Sequence, residues 1–289
     1  MTTSVCEAIA RLTGPAEVVA DLSWPGTTAT VRLLRRPSGQ HLVLKANSSP
    51  DCFTRELHAL RTWTPALGTA APQLVDADED ARVLLMTALP GSRLDLATLT
   101  TAQEQDAYRQ TGHLLRRLHE AGPPQTITDF GRRRAAYLRA RLTGPTHPLT
   151  TAELDFALAA IDQLETLPEQ KALPSHLDLT ARNLLADTDE RGRVRIAVID
   201  FETSRYEAAG RDFLRITQRT LRTRSDLAAA FYTGYGRRPT EEEQCLMRWC
   251  GIGDAAAIAV SAAASGHLDF SREGHTALRS AMAAVRPDT

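Results

Sequence analysis

Residues 176–202 read HLDLTARNLLADTDERGRVRIAVIDFE, and this stretch decides how the rest of the chain is read. His176, Asp178 and Asn183 share one polar segment, and Asp200 closes an apolar run. An Asp followed five positions later by an Asn, both flanked by leucines, sets a carboxylate and an amide side by side in a loop. Residues 194–199 (VRIAVI) alternate and are rich in β-branched side chains, which predicts a strand delivering Asp200 at its end. A proton acceptor, an amide oxygen and a second carboxylate are the parts that phosphoryl transfer from a magnesium nucleotide requires.

The order H-x-D-x-x-x-x-N followed by D-F-x is that of a kinase catalytic loop and metal loop. A kinase also needs an ammonium for the nucleotide phosphates. Of 34 basic residues only Lys45 and Lys171 are lysines, a bias that, with the abundance of Ala, points to GC-rich coding. A lysine that survives such a bias marks a position Arg cannot fill, because the two differ in shape and hydration. Lys45 lies in residues 41–46 (HLVLKA), a strand-like alternation after the turn signal Pro37-Ser38-Gly39. Residues 53–63 carry Phe53, Leu57, Leu60 and Trp63 at helical spacing, with Glu56 placed to pair with Lys45.

Upstream, Pro25-Gly26 lies among small hydroxyl residues, which suits a hairpin whose backbone amides approach phosphate, with Gly26 at the turn. Residues 83–89 (VLLMTAL) before Pro90-Gly91 read as a buried strand ending in a hinge, where backbone groups near Thr87 and Leu89 would meet the purine edge. Residues 71–80 read as a loop with a charged turn. Beyond the hinge the chain becomes helical. Thr101 with Glu104, Thr150 with Glu153 and Thr240 with Glu243 have capping-box spacing ahead of amphipathic runs, the first of which ends at Gly122. Two lobes are therefore expected: residues 1–90 for nucleotide binding and residues 91–289 for catalysis and acceptor binding.

Composition removes other classes. A net charge of −1 offers no broad attraction for nucleic acid or membrane surfaces. No signal peptide is apparent, residues 255–264 are too short to span a bilayer, and four scattered cysteines form no framework, so a cytoplasmic protein with reduced thiols is expected.

The constellation resembles the aminoglycoside phosphotransferase family and its choline kinase and homoserine kinase relatives. The residues that carry the likeness are His176-Leu177-Asp178-Leu179, Asn183-Leu184-Leu185, residues 198–202 (VIDFE), Lys45 with Glu56, and residues 115–118 (LRRL) with His119. The resemblance implies an α+β, protein-kinase-like two-lobe fold with a small β-rich lobe and a larger helical one. It implies Asp178 as catalytic base, Asn183 and Asp200 as Mg²⁺ ligands, Lys45 as the phosphate contact and Glu56 as its partner, with ATP as donor and GTP left open. Asp212 matches a family aspartate that supports the catalytic loop. Four departures stand out. Leu177 replaces the family's usual Gly, Thr180 its common second His, and Glu202 the Gly that protein kinases carry; no Ala-Pro-Glu segment follows Asp200.

The acceptor implied is a small hydroxyl-bearing molecule. The leading class is a cationic antibiotic, either an aminoglycoside or a cyclic peptide such as capreomycin or viomycin. Glu202, Glu207, Asp254 and Asp269 are the carboxylates available to meet it, and Trp249 an aromatic that could stack. The alternatives are a metabolic kinase for choline, homoserine or a sugar, and a non-catalytic binding module. The last would have lost Lys45, Asp178, Asn183 or Asp200, and all four are present. A monomer or weak dimer is expected.

Overall fold

Alternation along residues 41–47 fixes the first half of the architecture. In the computed structural model, which describes residues 3–23, 29–143 and 148–285, the chain forms two units. One comprises residues 1–123, 173–207 and 215–238; the other comprises residues 124–172, 208–214 and 239–289.

The first unit opens with helix α1 (Thr3–Thr13), strands β1 (Glu17–Asp21), β2 (Ala29–Arg35) and β3 (His41–Asn47), and helix α2 (Pro50–Thr62). Strands β4 (Leu74–Asp78) and β5 (Val83–Thr87) complete an antiparallel sheet of order β1-β2-β3-β5-β4. Side chains along a strand point to opposite faces in turn. Leu42 and Leu44 of β3 thus join Leu34, Val83 and Leu85 under Ala8 and Leu12 of α1. Val43 lies on the other face, where Leu84 and Met86 pack against Phe53, Leu57 and Leu60 of α2. Fully burying a Leu or Phe side chain contributes about 1.5–3 kcal/mol, so this layer is enough to fix α2 against the sheet. Lys45 shares the face of Val43. That is why it meets α2 rather than solvent.

Helix α2 starts earlier than its apolar spacing suggests, because Ser49 caps it by accepting from the Cys52 N–H and Pro50 occupies the first turn. The segment expected to be a loop, residues 71–80, contains β4. Asp76, Asp78 and Asp80 disguise it, yet its backbone pairs with β5 from Leu74↔Met86 to Asp78↔Val83. After Pro90-Gly91 come β6 (Ser92–Arg93) and α3 (Thr101–His119). Gly91 has φ 98°, and a Cβ there would overlap the Ala186 carbonyl, so both conformation and space require glycine. The cap of α3 is Thr100 with Gln103, one residue before the expected Thr101–Glu104 pair, and α3 ends at His119, before Gly122.

The second unit begins with β7 (Gln125–Ile127), α4 (Phe130–Leu142) and α5 (Thr151–Glu165), the last capped by the expected Thr150–Glu153 box. Strand β8 (Gln170–Ser175) pairs with β7 and then leads into a segment of the first unit with β9 (Leu184–Thr188), β10 (Val194–Val198) and β11 (Arg205–Ala208). Helix α6 (Ala209–Ile216) follows, and α7 (Ser225–Tyr235) packs along α3 so tightly that a Cβ at Gly112 or Gly234 would strike the facing backbone. His119 of α3 and the Tyr235 hydroxyl of α7 are 2.8 Å apart.

Helix α8 (Glu241–Ala264), capped by Thr240 and Glu243, and helix α9 (Leu268–Val285) close the second unit. Its core joins Leu138, Ile161, Leu164, Leu246, Cys250, Ala256 and Leu278. Trp249 packs against this core. Among the described residues α8 alone is long and apolar enough to cross a membrane, but half of its apolar window is buried among neighbouring helices. All four cysteines are free thiols.

Candidate active site

Strand β3 and helix α2 deliver the first part of the site. The Lys45 ammonium lies 2.7 Å from Glu56 Oε2, and the pair is almost fully buried, with side chains 8% and 3% exposed. Lys45 does more than the sequence foretells. It also lies 2.7 Å from Asp200 Oδ1 and 2.9 Å from Glu202 Oε2, whose side chains are 35% and 31% exposed. Asn47 Nδ2 donates to the same Glu202 carboxylate at 3.2 Å.

Burial alone would lower the Lys45 pKa, but Glu56, Asp200 and Glu202 outweigh it and hold the ammonium charged well above its ordinary range. Burial pushes the Glu56 carboxyl up against the pull of Lys45. At Asp200 burial acts upward too, yet Lys45 prevails and keeps that carboxyl below its usual value. One carboxylate oxygen from each of Glu56, Asp200 and Glu202 lies within 4.8 Å of the others. The Lys45 ammonium stands among these oxygens, and Asp200 and Glu202, at the open end, are hard donors of the kind a divalent cation such as Mg²⁺ takes.

The second part is the loop after β8. The Asp178 backbone N–H donates to His176 Nδ1 at 3.2 Å, so that nitrogen is the acceptor and Nε2 carries the hydrogen that reaches Ile199 O at 3.0 Å. Thr203 Oγ1 donates to His176 O at 2.7 Å, and the imidazole packs on Phe201. His176 thus ties the Asp178 loop to the Asp200 segment. Asn183 Nδ2 donates to both the Asp178 carbonyl and the Asp178 Oδ2, each at 2.9 Å, while the Asn183 carbonyl accepts from Ile199 N–H at 3.0 Å. The five-residue spacing works because residues 181–183 form a single tight turn that brings the amide back to the carboxylate.

Leu177 has φ 66° and Asp200 φ 68°, left-handed conformations that cost a non-glycine residue roughly 1–2 kcal/mol. At position 177 the family's usual glycine would be unstrained. Leu177 holds this left-handed backbone and offsets the strain by burying its side chain.

Two partners of Asp178 lie outside the motif residues. Arg182 donates from Nη2 to Asp178 Oδ2 at 2.8 Å, and Arg215 Nε lies 3.6 Å from Oδ1. Arg182 stands four residues after Asp178 and a search for local charge pairs would find it; Arg215 is 37 positions away and would not be found. Glu207 is bound by Arg205 at 2.8 Å. Asp254 is held by Arg134 and Arg211, and Asp269 is exposed beside Arg272. Asp212 is fully buried. Where a hinge was expected, the Thr87 N–H donates to Gln73 O and the Thr87 hydroxyl accepts from the Gln73 N–H, while Leu89 is half-buried. Gly26 lies outside the described residues.

A family model described as "Phosphotransferase enzyme family" matches residues 25–249. No curated protein sequence matches significantly. Among solved structures, the GDP and kanamycin complex of APH(2")-IIia is similar at TM-score 0.73 and 14% identity, covering 99% of this chain and 100% of that one. A thermostable mutant of aminoglycoside phosphotransferase APH(4)-Ia, in ternary complex with ADP and hygromycin B, gives 0.71 and 17% over 99% and 100%. A choline/ethanolamine kinase family protein from Mesorhizobium loti gives 0.65 and 16% over 98% and 94%. These likenesses establish the α+β kinase-like fold, and with the family match over most of its length the chain belongs to the phosphotransferase enzyme family.

Proposed function

We propose that this protein is a cytoplasmic, Mg-ATP-dependent kinase that phosphorylates a hydroxyl of a small molecule, with a cationic antibiotic as the leading acceptor. The observation that carries the reading is the Asp178 carboxylate, with one oxygen bonded by Asn183 and Arg182 and the other, Oδ1, without a hydrogen bond among the described residues. A buried carboxylate oxygen left this way is costly unless a donor completes it, and an acceptor hydroxyl is such a donor.

In the proposed reaction the acceptor oxygen forms a bond to the γ-phosphorus as the bond to ADP breaks, and the hydroxyl proton passes to Asp178 Oδ1. Because such a transition state is loose, Asp178 mainly aligns the hydroxyl. Lys45 would release Asp200 and Glu202 to neutralise phosphate oxygens, while Glu56 keeps its ammonium oriented. Asn183 and Asp200 would hold Mg²⁺, with Glu202 beside them. Bound there, the ion would neutralise charge on the transferring phosphate. Residues 1–90 are read as the nucleotide lobe and residues 91–289 as the catalytic and acceptor lobe, with purine contacts near Thr87 and Leu89.

The antibiotic reading is supported by neighbours whose structures hold kanamycin and hygromycin B. The choline/ethanolamine kinase relative supports a metabolic acceptor instead. ADP release with Mg-ATP against kanamycin, hygromycin B, capreomycin, viomycin, choline and homoserine separates them. Turnover of one antibiotic class, abolished by Asp178→Ala, is the expected result. Turnover of choline or homoserine alone would replace the antibiotic assignment with the metabolic one.

A further inference from the structure

The two oxygens of Asp178 are not equivalent, and the difference identifies the side on which an acceptor stands. Oδ2 is saturated by Arg182 Nη2 at 2.8 Å and Asn183 Nδ2 at 2.9 Å. Oδ1 is buried and accepts no hydrogen bond among the described residues, and the Arg215 Nε beside it, at 3.6 Å, is too distant to serve. The Asp178 side chain is 12% exposed, whereas Arg215 and Arg182 keep 37% and 43% of theirs in contact with solvent. A carboxylate is therefore reached past two guanidiniums, one on each oxygen.

We propose that Arg215 is a specificity-determining residue of this site. The acceptor hydroxyl lodges between Asp178 Oδ1 and the Arg215 guanidinium, and the acceptors turned over carry a neutral or anionic oxygen function, not an ammonium, beside that hydroxyl. This rests on Asp178 being the general base, and it narrows the acceptor class. A hydroxyl is both donor and acceptor, so one oxygen within reach of both groups donates to Oδ1 while accepting from Arg215 Nε–H. Oδ1 is closed to solvent as the side chains stand, so the half-exposed Arg215 swings outward to admit this oxygen, which completes Oδ1 and replaces a long ion pair with two hydrogen bonds. An ammonium on the neighbouring carbon would face Arg215, with Arg182 on the far oxygen reinforcing the repulsion; like charges so placed discriminate strongly in a partly desolvated site. Cationic groups elsewhere on a large acceptor are not restricted.

The test compares wild type, Arg215→Gln and Arg215→Glu, with Asp178→Asn as the control. The readout is the ratio of kcat/KM for an amine-flanked hydroxyl (ethanolamine) to that for oxygen-flanked hydroxyls (glycerol, glycerate). We expect the ratio to rise about tenfold or more in Arg215→Glu and less in Arg215→Gln, with the KM for Mg-ATP unchanged. An unchanged ratio, or an equal loss across all acceptors, would overturn the role of Arg215. Transfer that survives Asp178→Asn would instead remove the base beneath it, a separate failure.

Discussion

Lys45 and Asp254 each centre a group of charged side chains, and the two groups are built in opposite senses. Lys45 is one cation among three carboxylates, Glu56, Asp200 and Glu202. Asp254 is one carboxylate between two guanidiniums, Arg134 and Arg211. The burial differs as well. Around Lys45 it falls from a closed end at Glu56, 3% exposed, to an open end at Asp200, 35% exposed, whereas Arg134, Arg211 and Asp254 are all between 13% and 21% exposed. A group that is anchored at one end and open at the other, with excess negative charge, is built to take a ligand. One of even burial is built to hold helices α4, α6 and α8 together within its own unit.

The largest expected effect comes from breaking the first group. Lys45→Met leaves Glu56 buried without its cation, which should lower folding stability by about 3–5 kcal/mol in urea denaturation and abolish transfer. Adding Glu56→Gln to it should recover most of the stability and none of the activity. Recovery of activity would mean that Lys45 serves packing alone. Asp254→Asn should cost about 2–3 kcal/mol by removing the charge that Arg134 and Arg211 share, yet leave the KM for Mg-ATP unchanged. A tenfold change in that KM would erase the contrast between the two groups.

A third prediction uses Glu153, which caps α5 and accepts from His275 and Arg279. Burial raises its pKa, but the Thr150 backbone N–H, His275 and Arg279 together bring it down to about 2 from 4.5. The stability this carboxylate supplies is therefore complete above pH 4.5 and lost as pH falls toward 2. Glu153→Gln should cost about 1–2 kcal/mol at pH 7, allowing for solvent screening, and flatten the acid limb of the stability curve. The smallest expected effect is a difference between two substitutions at Leu177. Leu177→Ala keeps the left-handed backbone and loses burial, costing about 2 kcal/mol or more. Leu177→Gly loses more side chain but relieves the strain, and should cost less than Leu177→Ala in the same measurement.

The parts of this molecule that were legible in its sequence are those set by neighbours along the chain. Alternation in residues 41–46 predicted β3, and the face it assigned to Lys45 is the one that α2 covers. The caps at Thr150 and Thr240 were legible because the motif spans four residues. At Thr100 and Thr101 two overlapping boxes compete, and sequence spacing could not choose between them. Strand β4 was missed because strand propensity chiefly measures packing, and its aspartates accept an edge position whose backbone pairs with β5. The ion pairs of Lys45 with Asp200 and Glu202 join residues 155 or more positions apart, and no local pattern encodes them. Arg215 was hidden for the same reason.

The most direct measurement is single-turnover transfer of the γ-phosphoryl group by wild type and Asp178→Asn at saturating Mg-ATP, with nucleotide affinity measured alongside by calorimetry. The account predicts that transfer falls by about 10²–10⁴-fold while nucleotide affinity stays within twofold. Transfer at the wild-type rate by Asp178→Asn, with nucleotide bound equally well, would contradict it.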